Sequence, residues 1–323
     1  MFARKQVCQN SRMKRYLSSI LAACMVSACQ PVDQIPGVFD RVGIIENARL
    51  DEASGMQRSL KYPGIVYLHN DDGPPEIYIA DEMGRDLGTF IVKGARNRDW
   101  EDITAVPDTR QPLVVGADTG DNGARWDSVD LYFFFEPERS PENGFSTEVE
   151  LLHTISLRYP DGARDCESVA YDARNERLLF MTKRDRPPRL YAIGIEEALS
   201  QDESVLEFLG EAWSFREPSL EDLELFGARD GPWVAQPTGM DISPDGRRAA
   251  VISYRSLYIF DRAPEQNWAE ALASKPREYP GPDSYKEEAV TFLADGRTVL
   301  VTTERRPAAW YQAKIGDASV SEP

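Results

Sequence analysis

From about residue 40 to 310 the chain is a succession of short apolar runs separated by polar turns, with no long stretch of 3.6-residue periodicity. The runs include Ile65-Val-Tyr-Leu68, Pro112-Leu-Val-Val-Gly-Ala117, Leu131-Tyr-Phe-Phe-Phe135, Arg177-Leu-Leu-Phe-Met-Thr182, Ala249-Ala-Val-Ile-Ser253, Ser256-Leu-Tyr-Ile-Phe260 and Thr298-Val-Leu-Val-Thr-Thr303. They are rich in β-branched and aromatic residues and are punctuated by Ser243-Pro-Asp-Gly246 and Leu293-Ala-Asp-Gly296. That combination predicts strands joined by tight turns, an all-β fold of many hairpins.

An internal repeat refines this expectation. Five segments share a common start, Ser54-Gly-Met, Glu101-Asp-Ile, Glu167-Ser-Val, Thr238-Gly-Met and Glu288-Ala-Val. The second apolar run of each ends at Asn70, Asp118, Lys183, Tyr254 and Glu304, at separations of 16, 17, 16, 16 and 16 residues. Successive starts lie 47, 66, 71 and 50 residues apart, the length of a four-stranded propeller blade with insertions. The expectation is a β-propeller of four-stranded blades, five by count, with Val42-Gly-Ile-Ile45 supplying an N-terminal strand that closes the ring and covers the sheet edges. Six blades would require a degenerate one between Glu211 and Gln236, where Ser219-Leu-Glu-Asp-Leu-Glu-Leu225 reads instead as a short helix capped by Ser219.

In such a fold the marked residues ring one mouth: Ser54, Glu101, Glu167, Thr238 and Glu288 inside, Asn70, Asp118, Lys183, Tyr254 and Glu304 just outside. Crowded carboxylates repel one another, and a hard cation relieves that repulsion. Oxygen-only donors suit calcium or magnesium rather than zinc. The predicted calcium ligands are Glu101, Asp102, Asp118, Glu167, Glu288, Glu304 and Asn70; the alternative is a hydrated acidic rim without an ion. Asp118-Thr-Gly-Asp-Asn122 reads equally as a calcium loop or a plain turn. If the mouth is catalytic, Glu101, Glu167, Glu288, Lys183 and Tyr254 are the candidates. Cys166 lies between two acids that keep its thiol protonated, and only His69 and His153 are present, so neither a catalytic thiolate nor a His-rich zinc centre is expected.

Charge and the N-terminus set the context. The 323 residues carry 37 Lys+Arg and 54 Asp+Glu, a formal charge of −17. Residues 1–28 hold five basic residues and no acid, so without them the balance is −17 − 5 = −22, a poor match for nucleic acid or anionic lipid. That stretch has a basic region ending in Lys14-Arg15 and an apolar run too short to span a bilayer, the pattern of a signal peptide, with Met13 an alternative start to Met1. Val26-Ser-Ala-Cys29 resembles a bacterial lipobox, making Cys29 the lipidated residue. The expected organisation is a signal peptide over 1–28, a lipidated tether over 29–38, the propeller over 39–313 and a flexible tail over 314–323. By resemblance to other lipoproteins, Gln30 after the cysteine places the anchor in the outer membrane, facing the periplasm; the protein is expected to be a monomer that touches the membrane through its anchor alone.

The motifs Asp99-Trp-Glu-Asp-Ile103, Gly116-Ala-Asp-Thr-Gly-Asp-Asn122, Asp165-Cys-Glu-Ser168 and Thr238-Gly-Met-Asp-Ile-Ser-Pro-Asp-Gly246 resemble those of uncharacterised bacterial secreted β-propeller lipoproteins, phytase-like or esterase-like propellers. The resemblance implies a propeller and bound calcium but no substrate. Two functions follow as expectations: an envelope-anchored propeller whose acidic mouth binds a small molecule or a protein, or a calcium-dependent hydrolase of an ester or phosphoester.

Overall fold

The computed structural model describes residues 38–108, 111–282, 286–304 and 306–316. The expected signal peptide, Cys29 and nearly all of the tether lie outside them. Among the described residues no helix is long and apolar enough to cross a membrane.

The fold is all-β, and its strands run in consecutive antiparallel groups of four, the first two joined into one sheet by parallel pairing of Asp86–Lys93 with Glu148–Arg158, to which Glu203–Val205 also adds in parallel. The first runs through Ala53–Arg58, Ile65–Asn70, Glu76–Asp81 and Asp86–Lys93; the second through Asp102–Val106, Leu113–Asp118, Val129–Phe135 and Glu148–Arg158. The third comprises Cys166–Asp172, Arg177–Thr182, Arg189–Gly194 and Glu207–Glu211, and the fourth Gly239–Ile242, Arg248–Ile252, Ser256–Asp261 and Arg277–Pro280. In the fifth, Glu287–Phe292, Thr298–Thr303 and Ala309–Lys314 are joined by Phe39–Ile44, which pairs antiparallel with Ala309–Lys314. Lys314 therefore ends a strand, and Ile315 beyond it is buried rather than part of a loose tail.

Asp-Gly turns close two inner hairpins as predicted. Gly246 and Gly296 both adopt φ 64°, which only glycine takes without strain, while Asp245 and Asp295 accept N–H groups from Arg247 and from Arg297 and Thr298. The sequence pattern missed the ribbon Arg139–Ser140 with Gly144–Phe145 and the short helices Ile195–Ser200 and Trp268–Leu272. It did foresee the helix after Ser219: Leu220–Asp230 has a capping box in which Ser219 and Asp222 bond each other's backbone N–H. No strand occupies residues 212–238, where a further group had been considered.

The apolar core lies between neighbouring groups. Phe90 and Tyr67 meet Trp100 and Phe134 between first and second, Phe133 meets Phe180 between second and third, and Leu190 meets Phe260 between third and fourth. Ile259 meets Phe292 between fourth and fifth, and Leu300 and Trp310 of the fifth pack on Met56 and Leu68 of the first. The first strand of every group lies against the first strands of two neighbours.

A first strand has a ladder partner on one side only, so its other edge would leave buried N–H groups unsatisfied. Side chains from adjacent groups fill that need. The Asp102 carboxylate accepts N–H groups from Ile103, Val169 and Met240, tying three groups together; Asp241 accepts from Phe292 N and Thr291 Oγ1. Gln57 Oε1 accepts from Ala105 N, and Thr291 Oγ1 from Arg58 N.

Candidate functional site at the strand mouths

The five marked starts share one local geometry. In the first, third and fifth groups the register slips between Ala53 and Gly55, between Cys166 and Ser168, and between Glu287 and Ala289, leaving Ser54, Glu167 and Glu288 as the extra residue of a β-bulge. In the second and fourth, Glu101 N donates to Ala117 O and Thr238 N to Ile252 O, the residues already facing Asp102 and Gly239. Two residues thus oppose one at each start, which re-aims a side chain out of the strand's alternation.

Above these positions is a cavity of about 240 Å³. Ser54, Glu101, Glu167, Lys183, Tyr254, Glu288 and Glu304 line it, as do Asp71 and Asp99. Glu101 and Glu167 of this lining and Asp165, which does not line it, are all buried, and each brings a carboxylate oxygen within 4.8 Å of the others'. Ser54 Oγ donates to Glu101 Oε2 at 3.1 Å. Asp165 accepts Asp121 N at 2.8 Å and Arg184 Nε at 2.6 Å. Lys183 is ion-paired with Glu167 and donates to the Tyr254 hydroxyl at 3.1 Å.

Burial dominates the electrostatics. It holds the Glu101 and Glu288 carboxyls well above the usual carboxylate range; at Glu101 the Glu167 charge adds to the effect, while at Glu288 Lys183 opposes it. Glu167 is pushed up to about 7 by burial, against the pull of Lys183, and Asp71 to about 7 by burial and the Glu52 charge. Asp99 rises to about 6 through burial and Asp165. Lys183 goes the opposite way to a lone buried amine: although burial alone would lower it, Glu167, Tyr254 and Glu288 hold it well above its ordinary value.

Three expected ligands are engaged elsewhere. Asp102 serves the inner strand edges, as described above. Asn70 Oδ1 accepts Asp51 N and Glu52 N, shaping the turn beside the mouth, and Asp118 Oδ1 accepts Asp99 N. Thr238 Oγ1 donates to Glu287 O and lies outside the cavity lining. In Asp118-Thr-Gly-Asp-Asn122 the acids likewise hold backbone N–H groups, Asp121 Oδ2 accepting from Arg125 N and Trp126 N. Burial lowers His69 to about 4 and raises the Cys166 thiol to about 12, in keeping with structural roles for both.

The sequence pattern missed the basic and aromatic side of the cavity. Arg184 lines it beside Lys183, and Lys286 is held by Asp230 at 3.1 Å and Glu304 at 2.9 Å. Arg229, Asp230 and Trp233 reach it from the 212–238 connection, which is far longer than those over 94–101, 159–165 and 281–286. That excess length was the available signal.

No family model and no curated protein matches the sequence. Among solved structures, one of a protein provisionally described as a gluconolactonase superposes with a TM-score of 0.42 at 11% identity, covering 81% of this chain and 74% of the other.

Proposed function

We propose that the chain is a five-bladed propeller, its ring completed by Phe39–Ile44, and that its mouth hydrolyses a small ester or lactone with the help of a divalent cation. The observation that carries this is the buried trio Glu101, Asp165 and Glu167, of which Glu101 and Glu167 line the cavity beside a buried lysine. The donor set fits the ion: oxygen ligands, convergent, with Glu101 and Glu167 held above their ordinary range by burial. Calcium is the first candidate, and it would polarise the scissile carbonyl and acidify a water. The chain's own groups do the rest. Lys183 fixes Glu167 and orients the Tyr254 hydroxyl, and Glu288, whose carboxyl is held well above the usual carboxylate range by burial, holds a proton in the cavity that it can donate. The second reading is a binding propeller without turnover, favoured by the pairing of Glu167 with Lys183 and of Asp165 with Arg184. In either case we propose that lipidation at Cys29 holds the protein at the outer membrane, facing the periplasm.

Generic carboxyl-ester, lactone and phosphoester substrates, screened with calcium and with chelator, test the proposal. Calcium-dependent turnover is expected on esters or lactones; calcium binding without turnover of any substrate transfers the mouth to the binding reading.

Stability should report the same site. A carboxyl raised in the folded state binds its proton more tightly there than in the unfolded chain, so its contribution is full below about pH 4 and is lost as pH rises through about 7. Asp71 and Glu167 both titrate in that window. Below it, Asp81, Asp161, Asp222, Asp245 and Asp295, whose partners hold them under the ordinary value, lose theirs. In chelator, Tm is therefore expected to peak near pH 5 and to fall by about 5 °C by pH 7.5. Calcium should cancel the fall. A calcium-independent profile would show that these acids hold no ion.

A further inference from the structure

The connection over 212–238 brings its own chemistry to the mouth. Its first half is clamped: Asp222 is buried, bonded by Arg216 at 2.6 Å and approached by Arg255 at 3.6 Å. Phe226 then stacks on Tyr254, with ring centroids 6.2 Å apart and planes at 14°. At Gly227 the helical path breaks, with φ 74° and ψ −174°, a conformation open to glycine alone. The break turns the chain so that Arg229, Asp230 and Trp233 line the cavity. Trp233 is held by the guanidinium groups of Arg184 and Arg186, 4.8 and 5.1 Å from its ring centre.

The cations lining the cavity differ in how far they are engaged. Lys183 serves Glu167 and Tyr254, Arg184 serves Asp165 and Asn122, and Lys286 serves Asp230 and Glu304. Arg229 is almost fully exposed, and its ion pair is with the adjacent Asp230 at 3.6 Å, which Lys286 already holds. A guanidinium in that position can offer its paired N–H donors to an incoming planar anion.

We propose that Arg229 is the specificity residue of the mouth and that it selects substrates bearing one carboxylate remote from the reacting carbonyl. This rests on the hydrolase reading above. A single negative charge suits the site because the floor is crowded with acids, and a dianion would meet more repulsion than one arginine offsets. Gly227 sets the direction of Arg229, and Trp233 walls the cavity on the same side.

The test uses two matched esters, p-nitrophenyl acetate and mono-p-nitrophenyl succinate, together with calorimetric titration of succinate, which needs no turnover. Wild type is expected to favour the succinyl ester. Arg229→Gln should raise its KM and the succinate Kd about tenfold and shift the acetate ester's KM far less, while Arg229→Lys falls between. If both esters turn over and succinate binds wild type and Arg229→Gln alike, the selector is refuted and the hydrolase stands. If neither ester turns over yet Arg229→Gln weakens succinate tenfold, the anion site stands and the hydrolase falls.

Discussion

Lys183→Met should destabilise the protein by about 3–5 kcal/mol at pH 8, because removing one member of a buried ion pair leaves the other charged without compensation. Lys183 and Glu167 are both buried, and the ammonium restrains the rise of the Glu167 carboxyl more than Arg184, the other cation acting on it. The methionine replaces the aliphatic stem, so lost packing contributes little. The penalty has a pH signature. Without the amine, Glu167 escapes its unpaired charge by taking a proton, so the loss should shrink toward pH 5. Glu167→Gln should cost less, since Tyr254, Glu288 and Glu101 still surround the lysine. Urea unfolding at both pH values checks this, and a loss under about 1 kcal/mol at pH 8 would mean that the pair is solvated rather than buried.

Glu101→Gln should move function and stability in opposite directions. Calcium-dependent turnover is expected to fall at least about 100-fold in kcat/KM, the weakening of several kcal/mol of charge stabilisation. In chelator the same variant should be more stable at pH 8, because a carboxyl that resists ionisation by burial and by the Glu167 charge is replaced by a neutral amide of the same shape. Ser54 Oγ retains an acceptor in the amide oxygen, so the local hydrogen bond survives. Full activity in this variant would remove Glu101 from the site. Unchanged stability would mean that its carboxyl is ionised at little cost.

Hairpins and mouth were legible in the sequence because both depend on local spacing. Alternation of apolar residues and Asp-Gly turns fixed where strands begin and end, and equal hairpin lengths brought Glu101, Glu167, Lys183, Tyr254 and Glu288 to one cavity. Asn70 and Asp118 share that spacing and Asp102 directly follows Glu101, yet their carboxylate or amide groups hold backbone N–H groups, some of them on strands distant in sequence such as Val169 and Met240. Spacing along one strand carries no information about which neighbour's edge lacks a partner. Trp233 and Arg229 stayed hidden for a related reason: they lie in a connection without periodicity, and their direction depends on one glycine's dihedral angles.

The bulges at the strand mouths have a consequence for how the protein tolerates change. A residue in register with its ladder must serve the alternation that fills the core, whereas Ser54, Glu167 and Glu288 sit outside that alternation. Polar exchanges there leave the inward-facing partners, such as Met56, Val169 and Val290, in their places. The bulge thus separates two demands on one strand: the extra residue can carry the chemistry of the opening while the ladder and the core beside it keep their register.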